Sequence, residues 1–394
     1  MRKRPTSAWC EHERGIPSRR SFARRRALAA AVLAFATVAP WAWRPALGAD
    51  VACTRGPYLT RARRTSMTVA WRTEAAGTSI VHWGETSALA ETASGPSGTS
   101  HRVRLTGLVP GKRYLYRVET DGVLLGTQRA FRTLDPPSDP VFRFAVVGDF
   151  GTGSATEVAI EDQIAIARPR LVMTTGDNAY GAGSDADLDS RLFPQYADLL
   201  DHVAINPTLG NHDVGTAGGA PECAAFALGG RSWYGFDASS AHFVVLDSND
   251  RCLAPGCPQH DWLVADLART TQPFRFAFFH HTISSCGPHG TDEELRAAWA
   301  PVFAANGVQA VFMGHDHGYQ RSHPIDGVVY VTTGGGGAGL YAWSQPCPEA
   351  AVVLDATSAP DASHFVLVEL APGSATIQAI DRSGAVRDAF SLAE

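Results

Sequence analysis

Residues 308–321 read VQAVFMGHDHGYQR. The apolar run from Val308 to Met313 reads as a buried strand. One glycine later the chain presents His315 and His317 on either side of Asp316. Core packing does not ask for two imidazoles at the end of a buried strand. In an extended segment residues i and i+2 project to one side, which predicts His315 and His317 on a shared face and Asp316 on the other. Other strand-like runs end alike: Asp149 follows FAVVG, Asp177 follows VMTTG, Asn211 and His212 follow NPTLG, and His280 follows FAFF. In open α/β sheets ligands collect outside the carboxyl ends of the strands, so these side chains are expected to converge.

The segments around these runs set the fold class. FRFAVVGD, a helical stretch at SATEVAIEDQIAIA, RLVMTTGD, HFVVLD, FRFAFFH and VQAVFMGH alternate strand with helix, the pattern of crossover units in a layered α/β domain. GVVYVTT, AAVVLD, HFVLVEL and ATIQAI return to strand without helices. One large domain is expected over 141–394. Upstream, SMTVAWRT, SIVHWG, HRVRLTGL, RYLYRVE and RAFRT alternate apolar and polar residues between Gly, Pro and Ser clusters, which predicts a small all-β sandwich over 53–134. Trp71 and Trp83 are expected in its core, and TLDPPSDP (133–140) is a linker by its prolines.

Residues 1–49 run from Ser18-Arg19-Arg20-Ser21-Phe22 and Arg24-Arg25-Arg26 through the apolar ALAAAVLAFATVAPWAW to the small-residue end ALGA. That order is an export signal, with the arginine pair of a twin-arginine type. A membrane anchor is the alternative reading, and Pro40 interrupts its apolar run. The segment holds ten of the 34 Lys+Arg and two of the 39 Asp+Glu, which leaves 24 basic against 37 acidic residues, a formal −13. A chain so acidic repels nucleic acid and anionic membranes, and an anionic substrate must be attracted locally. The expected location is exported, periplasmic or secreted, with no nucleic acid as a stable partner and no membrane once the signal is removed. Six cysteines remain beyond Cys10, an even set suited to an oxidising compartment, and Cys252/Cys257 is the pair close enough to expect bridged.

The motifs GDFG (148–151), GDNAY (176–180), GNHD (210–213), AFFH (277–280) and GHDH (314–317) resemble, in content and order, those of the calcineurin-like metallophosphoesterases. With Tyr180 closing G-D-x-x-Y, the set is similar to the purple acid phosphatases, and LTGLVPGKRYLYRV resembles a fibronectin type III strand pair with Tyr114 or Tyr116 at its corner. The resemblance implies a layered metallophosphoesterase β-sandwich flanked by helices, preceded by a fibronectin III-like sandwich. It implies a dinuclear centre in which Asp149, Tyr180 and His317 hold Fe(3+), Asp177 bridges, and Asn211, His280 and His315 hold a divalent ion, Zn, Mn or Fe. Hard carboxylate and phenolate oxygens suit a trivalent cation, and imidazole and amide suit the divalent one. His280 rather than His281 takes the ligand position of the family's V-x-x-H element, Ala277 replaces its valine, and Thr282-Ile283 departs from its usual prolines.

The activity so implied is hydrolysis of small phosphate monoesters by metal-bound hydroxide. Lys112 is the single lysine past the signal and lies far forward, so cations must neutralise the ester. His212 is the expected proton donor to the leaving group, and His289 in CGPHG matches a substrate-facing histidine. Arg321 reads as a surface arginine that could touch substrate. A divalent-metal phosphodiesterase or nucleotidase on the same scaffold is the nearest alternative, and a catalytically silent exported binding protein the next. GGGGAG (334–339) satisfies G-x-G-x-x-G, but LYAWSQPCPE after it has no helical period, so a mobile rim loop near the metals is expected there and not a dinucleotide site.

Overall fold

The structure, a computed structural model, describes residues 51–136, 141–344 and 346–394. The export-signal reading of 1–49 lies outside them, as does part of the proline linker. Among the described residues no helix is long and apolar enough to cross a membrane.

Two sheets pack face to face. In the first, the order is Val386–Ala393, Ser374–Asp381, His364–Ala371, Phe142–Val147, Leu171–Thr174 and Ala204–Asn206. The second runs Ala350–Leu354, Tyr319–Ser322, Val329–Thr333, Ala310–Met313, Phe274–Phe278, Ala241–Val245 and Tyr234–Ala238. The central strands of each are parallel, paired as Val147 with Thr174 and Phe278 with Phe312. Both faces of these strands are covered, which explains why the runs are apolar throughout.

Period-two geometry sorts each run into two layers. Phe144 and Val146 face the other sheet, while Ala145 and Val147 face the helix Ala155–Ala167 through its Ile160 and Ile164. Opposite, Phe276 and Phe278 point inward, and Ala277 and Phe279 meet Leu263, Leu267, Trp299 and Phe303 of the helices Pro258–Arg269 and Glu293–Ala305. The result is helix, sheet, sheet, helix. Its centre is aromatic: Phe243 lies 4.9 Å from Phe144, and Phe278 stacks on Phe312 at 5.2 Å. Truncating one of these rings to Ala would cost about 3–5 kcal/mol.

The front unit is all β, but its strands differ from the expected runs. SMTVAWRT and SIVHWG belong to one bent strand, Ser66–Gly84. The Gly/Pro/Ser cluster before His101 is the first half of the strand Glu91–Thr106, which among the described residues pairs only with 66–84. On such an edge a proline or glycine interrupts no second ladder, so turn-like composition is tolerated in extended chain. Trp71 is buried and gives its indole N–H to Thr120 Oγ1, while Trp83 is only partly buried. Tyr114 makes the corner, its hydroxyl accepting the Val109 amide, whereas the Tyr116 hydroxyl donates to the Asp201 carbonyl. Cys53–Thr60 pairs in parallel with Ala204–Asn206, so the first sheet runs on into the front strands.

The disulfide Cys252–Cys257 is present, and Cys286–Cys347 joins the loop before His289 to the segment following the glycine run.

Candidate metal centre

Every candidate ligand lies past the carboxyl end of a central strand, but not always directly past it. The strand before Asn211 is Ala204–Asn206, so NPTLG is a loop rather than the expected strand, and it carries Asn211 across to the site. Asp149, Asp177 and His315 have φ of 55, 53 and 69°. That left-handed conformation is several-fold enriched in Asp, Asn and His, and here it turns the side chain back over the strand end. Strain of this kind concentrates at functional sites.

His315 is therefore not extended, and the expected alternation does not account for the two histidines. The turn sends them to opposite ends of one cluster. His315 Nδ1 lies 3.2 Å from His280 Nε2, whereas His317 Nε2 lies 2.9 Å from Tyr180 Oη and 3.4 Å from Asp149 Oδ1. Asp316 does face away. Fully buried, it accepts Ser285 Oγ at 2.5 Å and the His289 amide at 2.9 Å. It thereby fixes the loop whose His289 ring stacks on His315 at 4.0 Å.

Between the ends lie the carboxylates. Ligand atoms of Asp149, Asp177 and His280 are all within 4.8 Å of one another. Tyr180 Oη is 3.3 Å from Asp149 Oδ1, Asp177 Oδ1 is 3.5 Å from His280 Nε2, and Asn211 Oδ1 is 2.9 Å from the same nitrogen. The seven candidates thus form one continuous group. Asp149 and Asp177 are 0 and 2% exposed, and among the described residues their ion-pair partners are histidines, with no Lys or Arg. Two buried carboxylates side by side need a compensating charge. This mixed set of oxygens and imidazoles fits metal cations in that role.

Backbone carbonyls set the tautomers. His280 Nδ1 faces the Thr175 carbonyl at 2.8 Å and His317 Nδ1 the Gly339 carbonyl at 2.9 Å. A carbonyl only accepts, so Nδ1 carries the proton in both and Nε2 keeps its lone pair for the cluster, the usual orienting device behind a metal-binding histidine. Burial and then the surrounding imidazoles hold the His315 pKa well below the ordinary value, and burial with His280 pushes His281 down to about 3, so both rings are neutral. Burial, with Asp149 and Asp177 nearby, raises the Tyr180 phenol far above its ordinary value, so only a cation would ionise it.

Some contributors were not singled out by the sequence. Asp213 is fully buried and accepts the amides of Gly210, Asn178 and Ala179, bolting the GNHD loop to the GDNAY loop; burial and Asp177 push it up to about 6. Tyr341 stacks on His317 at 4.0 Å. The glycine run is not a mobile rim loop. Residues 334–338 are buried, Gly336 and Ala338 donate to the carbonyls of Gly148 and Asp149, and a Cβ on Gly336 would stand 2.5 Å from Gly148 O. The run is a packed strap between the Asp149 and His317 turns. Close approach also explains the glycine before Asn211, where a Cβ would fall 2.1 Å from Asp177 Oδ1.

Of the remaining candidates, His212 lies on the open side, its Nδ1 3.1 Å from the Gly181 carbonyl and its Nε2 4.0 Å from Asp177. Arg321 is not a free surface arginine: it forms a two-point salt bridge with Asp388 at 2.6 and 3.1 Å and lies over Phe390. Lys112 pairs with Glu85, in the front unit.

A helix-flanked double sheet with carboxylates and imidazoles meeting past its strand ends is the architecture of the calcineurin-like phosphoesterase fold. A family model described as calcineurin-like phosphoesterase matches residues 142–319, and one described as the purple acid phosphatase N-terminal domain matches residues 56–144. Side by side over residues 56–319, these two matches make the chain similar to the purple acid phosphatases and to the wider calcineurin-like phosphoesterases. It is 28% identical over 289 residues to purple acid phosphatase 15 of Arabidopsis thaliana, covering 61% of this chain and 54% of that one. With purple acid phosphatase 21 of the same plant it shares 28% identity over 270 residues, 61% of this chain and 59% of the other. The chain thus spans less than two thirds of the length of these relatives. The solved purple acid phosphatase PPD1 from yellow lupin (Lupinus luteus) seeds shares the fold, with a TM-score of 0.76 at 17% identity over 86% of this chain and 74% of that chain.

Proposed function

We propose that the protein is an exported acid phosphatase that hydrolyses small phosphate monoesters at a dinuclear metal centre. The observation that carries this reading is the mutual approach of Asp149, Asp177 and His280 to within 4.8 Å, with Tyr180 and His317 against one side and Asn211 and His315 against the other. On this reading Asp149, Tyr180 and His317 would hold a ferric ion, Asn211, His280 and His315 would hold Zn, Mn or ferrous iron, and Asp177 would serve both. When bound, such a pair of cations neutralises the ester's charge and acidifies water.

The chain's own residues do the rest. His212 Nδ1–H is committed to the Gly181 carbonyl, so the acid form of this histidine is the doubly protonated ring, whose Nε2–H, 4.0 Å from Asp177, hands its proton to the leaving alkoxide and leaves the neutral Nδ1–H tautomer behind. His289, held through its amide by Asp316 and stacked on His315, walls the entrance and offers its ring to the phosphoryl oxygens. His281, neutral and 2.8 Å from Ser248 Oγ through Nδ1, is a wall and not a ligand. We also read 53–134 and 141–394 as separate domains.

The test is hydrolysis of an aryl phosphate monoester and the corresponding diester by protein loaded with iron and zinc, beside protein loaded with manganese alone. A monoester preference with a visible charge-transfer band supports the proposal. Full activity on manganese with a diester preference and no band would replace it with a divalent phosphodiesterase, and no hydrolysis at all with a binding protein.

A further inference from the structure

Two aromatic rings from distant parts of the chain wall the approach to the metal centre. His289 stacks on His315 at 4.0 Å, Tyr341 stacks on His317 at 4.0 Å, and the two wall rings stand 5.7 Å apart. Each wall covers a histidine at one end of the ligand cluster. Their spacing therefore sets how wide the approach is.

The segments that carry them are unequally supported. The His289 loop is tied down by Asp316, which takes the Ser285 hydroxyl and the His289 amide, and by Gln320 Oε1, which accepts the Cys286 amide at 3.0 Å. Beyond Tyr341 the chain lacks such a frame: among the described residues of 342–349 none belongs to a helix or strand, and Ala342, Ser344, Pro346 and Pro348 are exposed. Tyr341 and Trp343 donate their amides to the His317 carbonyl and Asp355 Oδ2, contacts that do not reach the His289 loop. Two links do reach it. One is the disulfide Cys286–Cys347, with Cα atoms 5.4 Å apart; the other is Glu349, which accepts Ser284 Oγ at 3.0 Å and pairs with Arg296 at 2.7 Å. The Glu349 and Arg296 side chains are 40 and 26% exposed, and ion pairs open to water contribute little and are screened by salt. The covalent link carries the alignment.

We propose, resting on the phosphatase reading of the metal centre, that the Cys286–Cys347 disulfide is a positioning device for substrate: it holds His289 and Tyr341 at the spacing that admits and grips the phosphate ester. Cys286 stands three residues before His289 and Cys347 six after Tyr341, so the bridge sits close to both walls. The metal ligands are oriented instead by backbone carbonyls and the glycine strap, so opening the bridge loosens the walls and spares the metals.

The experiment compares metal-loaded, full-length protein with C286S/C347S. KM for an aryl phosphate monoester should rise roughly tenfold, short of the roughly hundredfold that a 1 Å misplacement can cost, with kcat and metal content unchanged. Independently of turnover, hydrogen exchange read by mass spectrometry should quicken over 341–349 and stay unchanged over 310–317. H289A separates positioning from general loosening: with that ring gone, opening the bridge should raise KM much less than in the native chain. An unchanged KM, a fall in kcat with loss of metal, or the same rise in KM with and without His289 overturns the role. Should the double variant not fold, C347S, which leaves Cys286 in place on Gln320, gives the same decision. Absence of hydrolysis by the native chain overturns the phosphatase reading and this role together, whereas hydrolysis with a KM indifferent to the bridge overturns this role alone.

Discussion

Tyr180 Oη sits 2.9 Å from His317 Nε2 and 3.3 Å from Asp149 Oδ1, so a phenol, an imidazole and a carboxylate share one point. A bound trivalent ion there would draw the phenolate form, and its charge-transfer absorption would be the visible signature. In Tyr180→Phe that band is lost and the ion at this end binds roughly 10- to 100-fold more weakly, the scale of loss seen when a metal site's supporting groups are removed. Absorption spectra with metal analysis check this; an undiminished band moves the phenolate to another residue.

Removal of the metals should destabilise the fold. Asp149 and Asp177 are left buried side by side with histidines as their ion-pair partners. At free metal a thousandfold above its Kd, binding stabilises by about 4 kcal/mol, all of it lost with a chelator. Asp177→Asn should invert the ranking, raising the Tm of stripped protein by removing a buried charge and lowering the Tm of the loaded form. Scanning calorimetry of the four states decides it.

His212 predicts a dependence on leaving group. With Nδ1–H held by Gly181 and a second proton on Nε2, the ring assists departure of a poor leaving group more than a good one. His212→Ala should lower kcat by roughly 10²–10⁴ for alkyl phosphates, as loss of general acid catalysis does, and by much less for nitrophenyl phosphate. Equal losses would assign His212 to binding.

Gly336 separates a packed strap from a flexible loop. A Cβ there would press on the Gly148 carbonyl at 2.5 Å and on Val147 Cγ2 at 2.6 Å, neither at the end of a flexible chain. Gly336→Ala should cost about 1–3 kcal/mol, the range for overpacking a core, and weaken metal binding as the Asp149 turn shifts. Denaturant unfolding checks the first and metal titration the second; a flexible loop would absorb the methyl with neither effect.

The clustering of Asp149, Asp177, His280 and His315 was legible because each sits in a short motif beside an apolar run, and both the run and the residue type carry a signal. The supports were not. Thr175 and Gly339 act through carbonyls that every residue possesses, Tyr341 arrives from a distant loop, and GGGGAG has the composition of a flexible segment while its residues 334–338 are buried. The same ambiguity hid the edge strand before His101, where glycine and proline are tolerated because only one side is paired. His315 shows a right result with a wrong cause: its side chain reaches the site through a left-handed turn rather than by strand alternation.

His242 supplies a pH dependence remote from the metals. Its ring is 8% exposed and lies between Asp237 Oδ1 at 2.7 Å and Asp266 Oδ2 at 2.9 Å. Burial alone would lower its pKa, but hydrogen bonds to Asp237 and Asp266 and their charges outweigh it and lift the value from 6.5 to about 9. The folded state thus holds the proton more tightly than the unfolded one. The stabilisation is complete below pH 6.5 and disappears as pH rises through about 9. Asp237 is partly open to solvent, which screens the pair, so about 2 kcal/mol is expected rather than the full shift at 1.36 kcal/mol per unit. Gln at 242 keeps a hydrogen-bonding amide but cannot be charged. The difference in unfolding free energy between the native chain and His242→Gln should therefore be largest near pH 6 and shrink steadily to pH 9.5; a difference independent of pH would mean that the ring is neutral throughout and that its two carboxylates are satisfied another way.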